Sequence, residues 1–355
     1  MNDALVDRIA NAVLYEGYIL YPYRPSVKNS QRWTFGGLYP RSFCEAQAGA
    51  DAWTVQTECL IEGSENAELE FRVRFLHLLA RFVGQLHSPA KHISEVTQSD
   101  YRVVEKLRIG ERLLHTWQEG IEREHAPGYM ELGSLVREPR CSSFAFRTSR
   151  MLEPVCGPMG DIEAVLVREQ EPVAGQVEVS AQQAAEGLFK LRVRVENLSG
   201  LEDPVDCSRG EALMRTLVST HTVLGVKGGA FVSLLDPPEE RRAIADSCRN
   251  VGTWPVLVGE EGEKDTMLSA PIILYDYPQI APESPGDLFD STEIDELLTL
   301  RILTLTDEEK ELAAAVDARA RAILQRTESL TVGQMRQLHG AIRDLRPVTS
   351  GTAND

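Results

Sequence analysis

Between residues 15 and 195 the dominant pattern is alternation of apolar and polar side chains, the two-residue period of a strand with one buried face. Val55, Thr57, Cys59 and Ile61 form one set and Leu69, Phe71, Val73 and Phe75 the next, with Gly63-Ser64-Glu65-Asn66 between them reading as the turn of a hairpin. Further strands are expected at Phe144 and Phe146, over Ile162 to Val167, at Val177 and Val179, and at Phe189, Leu191, Val193 and Val195. The opposite face of the last carries Lys190, Arg192, Arg194 and Glu196, the pattern of a solvated face or of an edge guarded by charge.

The style changes near Pro204 to Arg209. Glu211 to Ser219 reads as a helix, and Ala230 to Leu235 as a compact buried strand. Asp236-Pro237-Pro238-Glu239-Glu240 supplies an N-cap, a proline and first-turn acids for a helix over Glu239 to Arg249, and Trp254 to Val258 resumes as a strand. Strand, helix and strand suggest a right-handed parallel unit. Asp236 then has two readings, a helix cap or a ligand-facing residue at a strand's carboxyl end. Pro271 to Pro278 reads as another strand. Ser291 and Thr292, Thr306 with Glu309, and Thr331 with Gln334 start helices that run to about Leu300, Arg326 and Arg343.

The expected fold is therefore α+β, with a β-rich part over 1–205 that is sandwich or barrel-like. A smaller α/β portion follows over 206–290, then a helical carboxyl-terminal region over 291–346 and a frayed tail over 347–355. A length of 355 residues is more than one small core organises, which favours more than one compact unit. Hydrophobic residues at 43% and charged residues at 26% suffice for a packed globular protein. The formal charge of -17 repels phosphate backbones, so nucleic acid is not an expected partner. Met1 to Asn11 lacks a basic region followed by an apolar run, and no long uncharged apolar window occurs, so a cytoplasmic protein without a membrane span is expected.

Motif-borne chemistry is sparse. The six cysteines are scattered without a CxxC pair, which reads as reduced, packed thiols; Cys156, between Pro154 and Pro158, is the one placed in a turn. Gly225-Val226-Lys227-Gly228-Gly229 lacks the spacing and the following Ser or Thr of a phosphate loop and reads as a turn. His87 and His92 flank a loop but lack a third ligand, and Asp287, Asp290, Glu293, Asp295 and Glu296 suit a helix amino terminus; no metal and no cofactor is expected. Tyr15, Tyr18, Tyr21 and Tyr23, followed by Arg24, Lys28, Arg32, Trp33, Phe35 and Tyr39, are the residue types of binding hot spots, and also the rings of a strand-borne core, the reading the pattern favours for the rings themselves.

The run from Tyr15 to Arg24 with Lys28-Asn29 and Arg32-Trp33-Thr34-Phe35-Gly36, together with Ile273 to Pro278 and Ser284 to Glu296, resembles an uncharacterised bacterial family associated with nickel-iron hydrogenase gene clusters. The resemblance implies an accessory or maturation context and names no catalytic residue. The expected function is a non-catalytic assembly protein that docks on a protein partner, a hydrogenase subunit or maturation factor, through Tyr21, Tyr23, Arg24, Arg32 and Trp33. The alternative is an enzyme whose site is assembled from dispersed groups, such as Cys156 or Cys44 with a histidine, or Asp236.

Overall fold

The computed structural model describes residues 6–11, 13–14, 36–47, 49, 51–279, 310, 325 and 329. Its organising element is β1, Thr54–Ala90, a strand of 37 residues. Along its first half Val55, Thr57, Cys59 and Ile61 are buried and Gln56 and Glu58 between them half-buried, as the alternation requires, while Leu60 on the opposite face is buried against Leu188, Val232 and Ala245. The expected hairpin does not form. Gly63 pairs with Gly229 and Glu68 with Lys227, so both flanks of the turn-like sequence pair with the same neighbour and the residues between them bulge out of the ladder. Gly63 lies against the backbone of Gly229, where an added Cβ would sit 3.2 Å from Gly229 Cα. Turn composition is as compatible with a bulge as with a hairpin, and the register with β12, Val218–Val232, decides between them.

Twelve strands form one sheet among the described residues. The first half of β1 lies between β12 and β11, Leu188–Asn197, which continues through β10, Val173–Ala185, to β7, Arg140–Phe146. Beyond β12 come β14, Thr266–Ala270, and then β13, Trp254–Leu257. The second half of β1 changes neighbours. It pairs with β5, Trp117–His125, and with the short β2, Tyr101–Val104, on one side, the side on which the short β6, Met130–Glu131, pairs with Glu68 and Leu69 just before. On the other it pairs with β9, Ile162–Gln170, which in turn pairs with β8, Ser149–Cys156. A separate hairpin joins β3, Lys106–Ile109, to β4, Arg112–His115.

The sheet coils around a shared interior. Phe71 and Phe75 of β1 share one apolar cluster with Phe144 of β7, Val177 of β10, Leu191 of β11, Leu224 of β12, Leu257 of β13 and Met267 of β14. Phe75 and Phe144 are 5.5 Å apart between centroids, and the buried hydroxyls of Thr57 and Thr253 both meet Ser269 Oγ at 2.6 Å. From Val73 to Leu79 every residue of β1 is buried, because the interior covers one face and the amino-terminal helical residues cover the other.

The α+β expectation is corrected by this arrangement. Among the described residues every pairing between the named strands is antiparallel, and each named helix has seven residues or fewer. Where an α/β portion was expected, β12, β13 and β14 extend the same sheet. The strand expected at Ala230 is the end of β12, and β14 sits between β12 and β13, so the parallel strand-helix-strand unit is absent. The helix expected from Glu211 is Arg209–Leu213, capped by Ser208, whose Oγ accepts from Glu211 N while the Glu211 carboxylate accepts from Ser208 N. The next helix, Glu239–Ala245, has Pro238 as its N-cap, not Asp236. Pro271 to Tyr277 is not a strand of the sheet; it lies along the outer edge of β13, where Leu257 N donates to Asp276 Oδ1 and Tyr277 N to Leu257 O. Together with Pro255, which has no N–H to offer, this strap closes that edge to further pairing. The helical region expected over 291–346 and the tail over 347–355 lie outside the described residues, apart from positions 310, 325 and 329.

Candidate functional site

Residues 6–11 and 13–14 are helical, with Val6, Ile9, Ala10 and Val13 buried at the i, i+3, i+4, i+7 spacing of one helix face. That face packs on Val223, Val256, Val258, Leu268 and Ala270, across β12, β13 and β14, and Leu14 packs on Leu76, Leu78 and Val218. The polar side of the contact is also in register. Asp7 and Asn11, four apart on the helix, are separated by about 6 Å, and Arg72 and Arg74, two apart on β1, by about 6.7 Å. Arg72 Nη1 reaches Asp7 Oδ1 at 3.0 Å and Arg74 Nη2 reaches Asn11 Oδ1 at 2.7 Å. From the neighbouring strand, Glu122 and Glu124 face Arg74 at 3.4 and 3.6 Å, and Glu124 also approaches Arg72 at 4.0 Å.

The start of β12 is a polar hub beneath these residues. Ser219 takes the left-handed backbone conformation at φ 54, which a residue with a side chain holds only when its surroundings compel it. Its Oγ donates to Val13 O at 3.0 Å, and the Nδ1–H of His221 donates to Ser219 O at 2.9 Å. The next residue, Thr220, donates its N–H to Gly36 O at 3.0 Å, and Leu217 exchanges both backbone bonds with Leu38. The chain thus leaves the described structure after Leu14 and re-enters it at Gly36 on consecutive residues of one strand. Gly36 has φ 55, and a Cβ there would lie 2.4 Å from Pro271 Cβ and Cγ, so the re-entry point admits only glycine without a shift.

Tyr21, Tyr23, Arg24, Arg32 and Trp33, the residues expected to meet a partner, lie between these two anchors and outside the described residues, as do Asp287, Asp290, Glu293, Asp295 and Glu296. Sequence reasoning missed the anchors themselves. The 6, 9, 10, 13 apolar spacing was the signal for the first.

The dispersed groups considered for catalysis sit apart. Cys44 is buried beside Tyr39 and Phe43 in a small aromatic cluster, and burial pushes its thiol up to about 11. Burial likewise raises Cys59, takes Cys248 to about 11 and, joined by Glu211, raises Cys207. A raised thiol is a poor nucleophile at neutral pH. Cys156 is exposed at the end of β8 and Cys141 is exposed on β7. Asp236 is exposed, its N–H given to Ser233 Oγ at 2.9 Å. His87 and His92 are exposed, and no group of three or more His, Cys, Asp or Glu that could hold a metal ion occurs among the described residues. Gly225 to Gly229 are strand residues of β12 opposite the β1 bulge, with φ 76 at Gly228.

On the other face of β1, burial lowers His77 to about 4 while its Nε2–H donates to Glu171 O at 2.8 Å. Glu119 of β5 bridges Arg81 of β1 and Arg168 of β9, each at 2.7 Å, and Arg168 continues to Glu153 of β8. Four strands are thereby cross-linked by charge. The cationic face of β11 is also paired: Lys190 with Glu58 at 3.6 Å, Arg192 with Glu178 at 3.2 Å and Arg194 with Glu196 at 2.9 Å. No helix among the described residues is long and apolar enough to cross a membrane.

No known protein-family model matches the chain, and no curated protein matches it.

Proposed function

We propose that the protein is a non-catalytic docking protein of the cytoplasm, in which the coiled sheet is a rigid platform and residues 15–35 are the segment that meets another protein. The observation that carries this reading is the common anchorage of that segment's two flanks, Val13 on Ser219 and Gly36 on Thr220. Fixing both ends at one place limits the entropy a recognition segment loses on binding. The segment between them is the densest collection of tyrosine, tryptophan and arginine in the chain, the residue types that dominate binding energy. The raised thiols of Cys44, Cys207 and Cys248 speak against a cysteine enzyme at those positions.

The proposed partner is a hydrogenase subunit or maturation factor, on the resemblance of residues 15–36 and 273–296 to the hydrogenase-associated family. Affinity purification of the full chain from its own host, followed by mass spectrometry, tests both parts. The wild-type chain is expected to retain a hydrogenase component that a variant with Tyr21, Tyr23, Arg24, Arg32 and Trp33 changed to alanine loses. Retention of the same proteins by both forms would refute the assignment of the segment.

A further inference from the structure

Beneath the amino-terminal helical residues lies a set of buried polar atoms that do not satisfy one another. Arg74 and His221 are direct cross-strand partners on β1 and β12, 8% and 1% exposed. Because the Nδ1–H of His221 is given to the Ser219 carbonyl, its Nε2 carries a lone pair, and that atom has no partner. Arg74 Nη1 and Arg72 Nη2 are buried donors without acceptors. The ladder is irregular between the Arg74–His221 and Leu76–Val218 pairs, and residues on both sides of His221 meet the amino-terminal helix: Val218 packs on Leu14, Ser219 in the irregular step donates to Val13 O, and Val223 packs on the Val6, Ile9, Ala10 and Val13 face. His221 is therefore roofed by the same residues that anchor the docking segment.

We infer that the amino-terminal anchor is a proton-operated latch, closed over neutral His221 and opened when that imidazole is protonated. Charge explains the direction. An imidazolium here stands beside two guanidiniums and has its remaining proton aimed at buried, donor-rich surroundings, which disfavours the charged form in the closed state. The groups facing it are Arg72 and Arg74 from β1, Glu122 and Glu124 from β5, and Asp7 with the neutral Asn11 from the amino-terminal residues; β14, on the other side of β12, contributes no ionisable side chain. The carboxylates are already engaged with the two arginines. Burial, reinforced by Arg74 and Arg72, lowers His221 to about 4 in the closed form. Lifting the anchor returns the ring to water, where it takes up a proton near its ordinary value of about 6.5. Opening then becomes easier by roughly tenfold for each pH unit between those two values. As regulation of the docking segment the latch rests on the proposed function; as a property of the fold it does not.

Hydrogen exchange of the full chain, corrected for intrinsic rates and followed between pH 7.5 and 5, tests it without any partner. Over pH 6.5 to 5 the ordinary carboxylates have yet to titrate, so a histidine governs the response. Amides of residues 8–11 are expected to lose protection roughly tenfold per pH unit relative to the amides of β10 and β11. In His221→Asn, whose amide can still donate to Ser219 O, that relative loss is expected to vanish. A wild-type chain whose amino-terminal amides keep constant relative protection over this range overturns the latch, whether or not the variant folds. So does a folded variant that loses protection as the wild type does. Either result leaves partner capture by residues 15–35 standing.

Discussion

Gly36 and Ser219 hold the same small region of backbone, one by having no side chain and the other by using its side chain. At Gly36 the left-handed conformation and the contact with Pro271 act together, so Gly36→Ala is expected to destabilise the fold by about 1–3 kcal/mol, read as a lowered urea midpoint with an unchanged slope. An unchanged midpoint would mean that the chain re-enters the sheet with room to spare. Neither position was legible in the sequence, since a glycine after Phe35 announces freedom without naming the neighbour that fills the space. The apolar spacing of Val6, Ile9, Ala10 and Val13 was legible, but an amphipathic helix draws its stability from what it packs on, which the linear pattern does not contain.

Strands were the most readable elements, and the chief misreading among them was the hairpin at Gly63. Local turn chemistry was correct there; pairing with β12 decided the outcome, and pairing is a non-local property. Arg72, Arg74, His77 and Arg81 interrupt the apolar run from Phe71 to Val83 of β1. Their explanation lies in the neighbours. Arg72 and Arg74 meet carboxylates of β5 and the amino-terminal residues, and Arg81 meets Glu119. Glu119 is the shared partner of two arginines in a mostly buried setting, so Glu119→Gln is expected to lower stability by about 2 kcal/mol, below the value for a fully buried broken pair because its side chain is 18% exposed. Glu178→Gln, at the exposed pair with Arg192, is expected to change stability by less than about 0.5 kcal/mol. Equal effects in urea unfolding would contradict the role assigned to the β1, β5, β8 and β9 charge chain.

At the scale of the whole molecule, buried histidines make the fold acid-sensitive. His77 and His221 are both lowered to about 4 by burial, so the folded chain binds fewer protons than the unfolded chain between that value and about 6.5. Stability is therefore full above about 6.5 and falls as pH drops toward 4, with a combined slope of about 2.4 kcal/mol per pH unit in the middle of that window. Urea unfolding at pH 7.5, 6 and 5 measures it, and a flat profile would show that these rings are solvated. The sequence held the strands of this molecule but not their joining into one coiled sheet, because the compact strand at Ala230 and the cap-like Asp236 are local signals compatible with either a parallel unit or the antiparallel extension that forms.

The docking account is tested most directly by the affinity of the purified full chain for the partner it captures, measured by calorimetry for the wild type and for the Tyr21, Tyr23, Arg24, Arg32 and Trp33 alanine variant. Loss of several hot-spot side chains predicts weakening by at least a hundredfold, with the urea midpoint of the variant close to that of the wild type. Equal affinities in two equally stable proteins would contradict it.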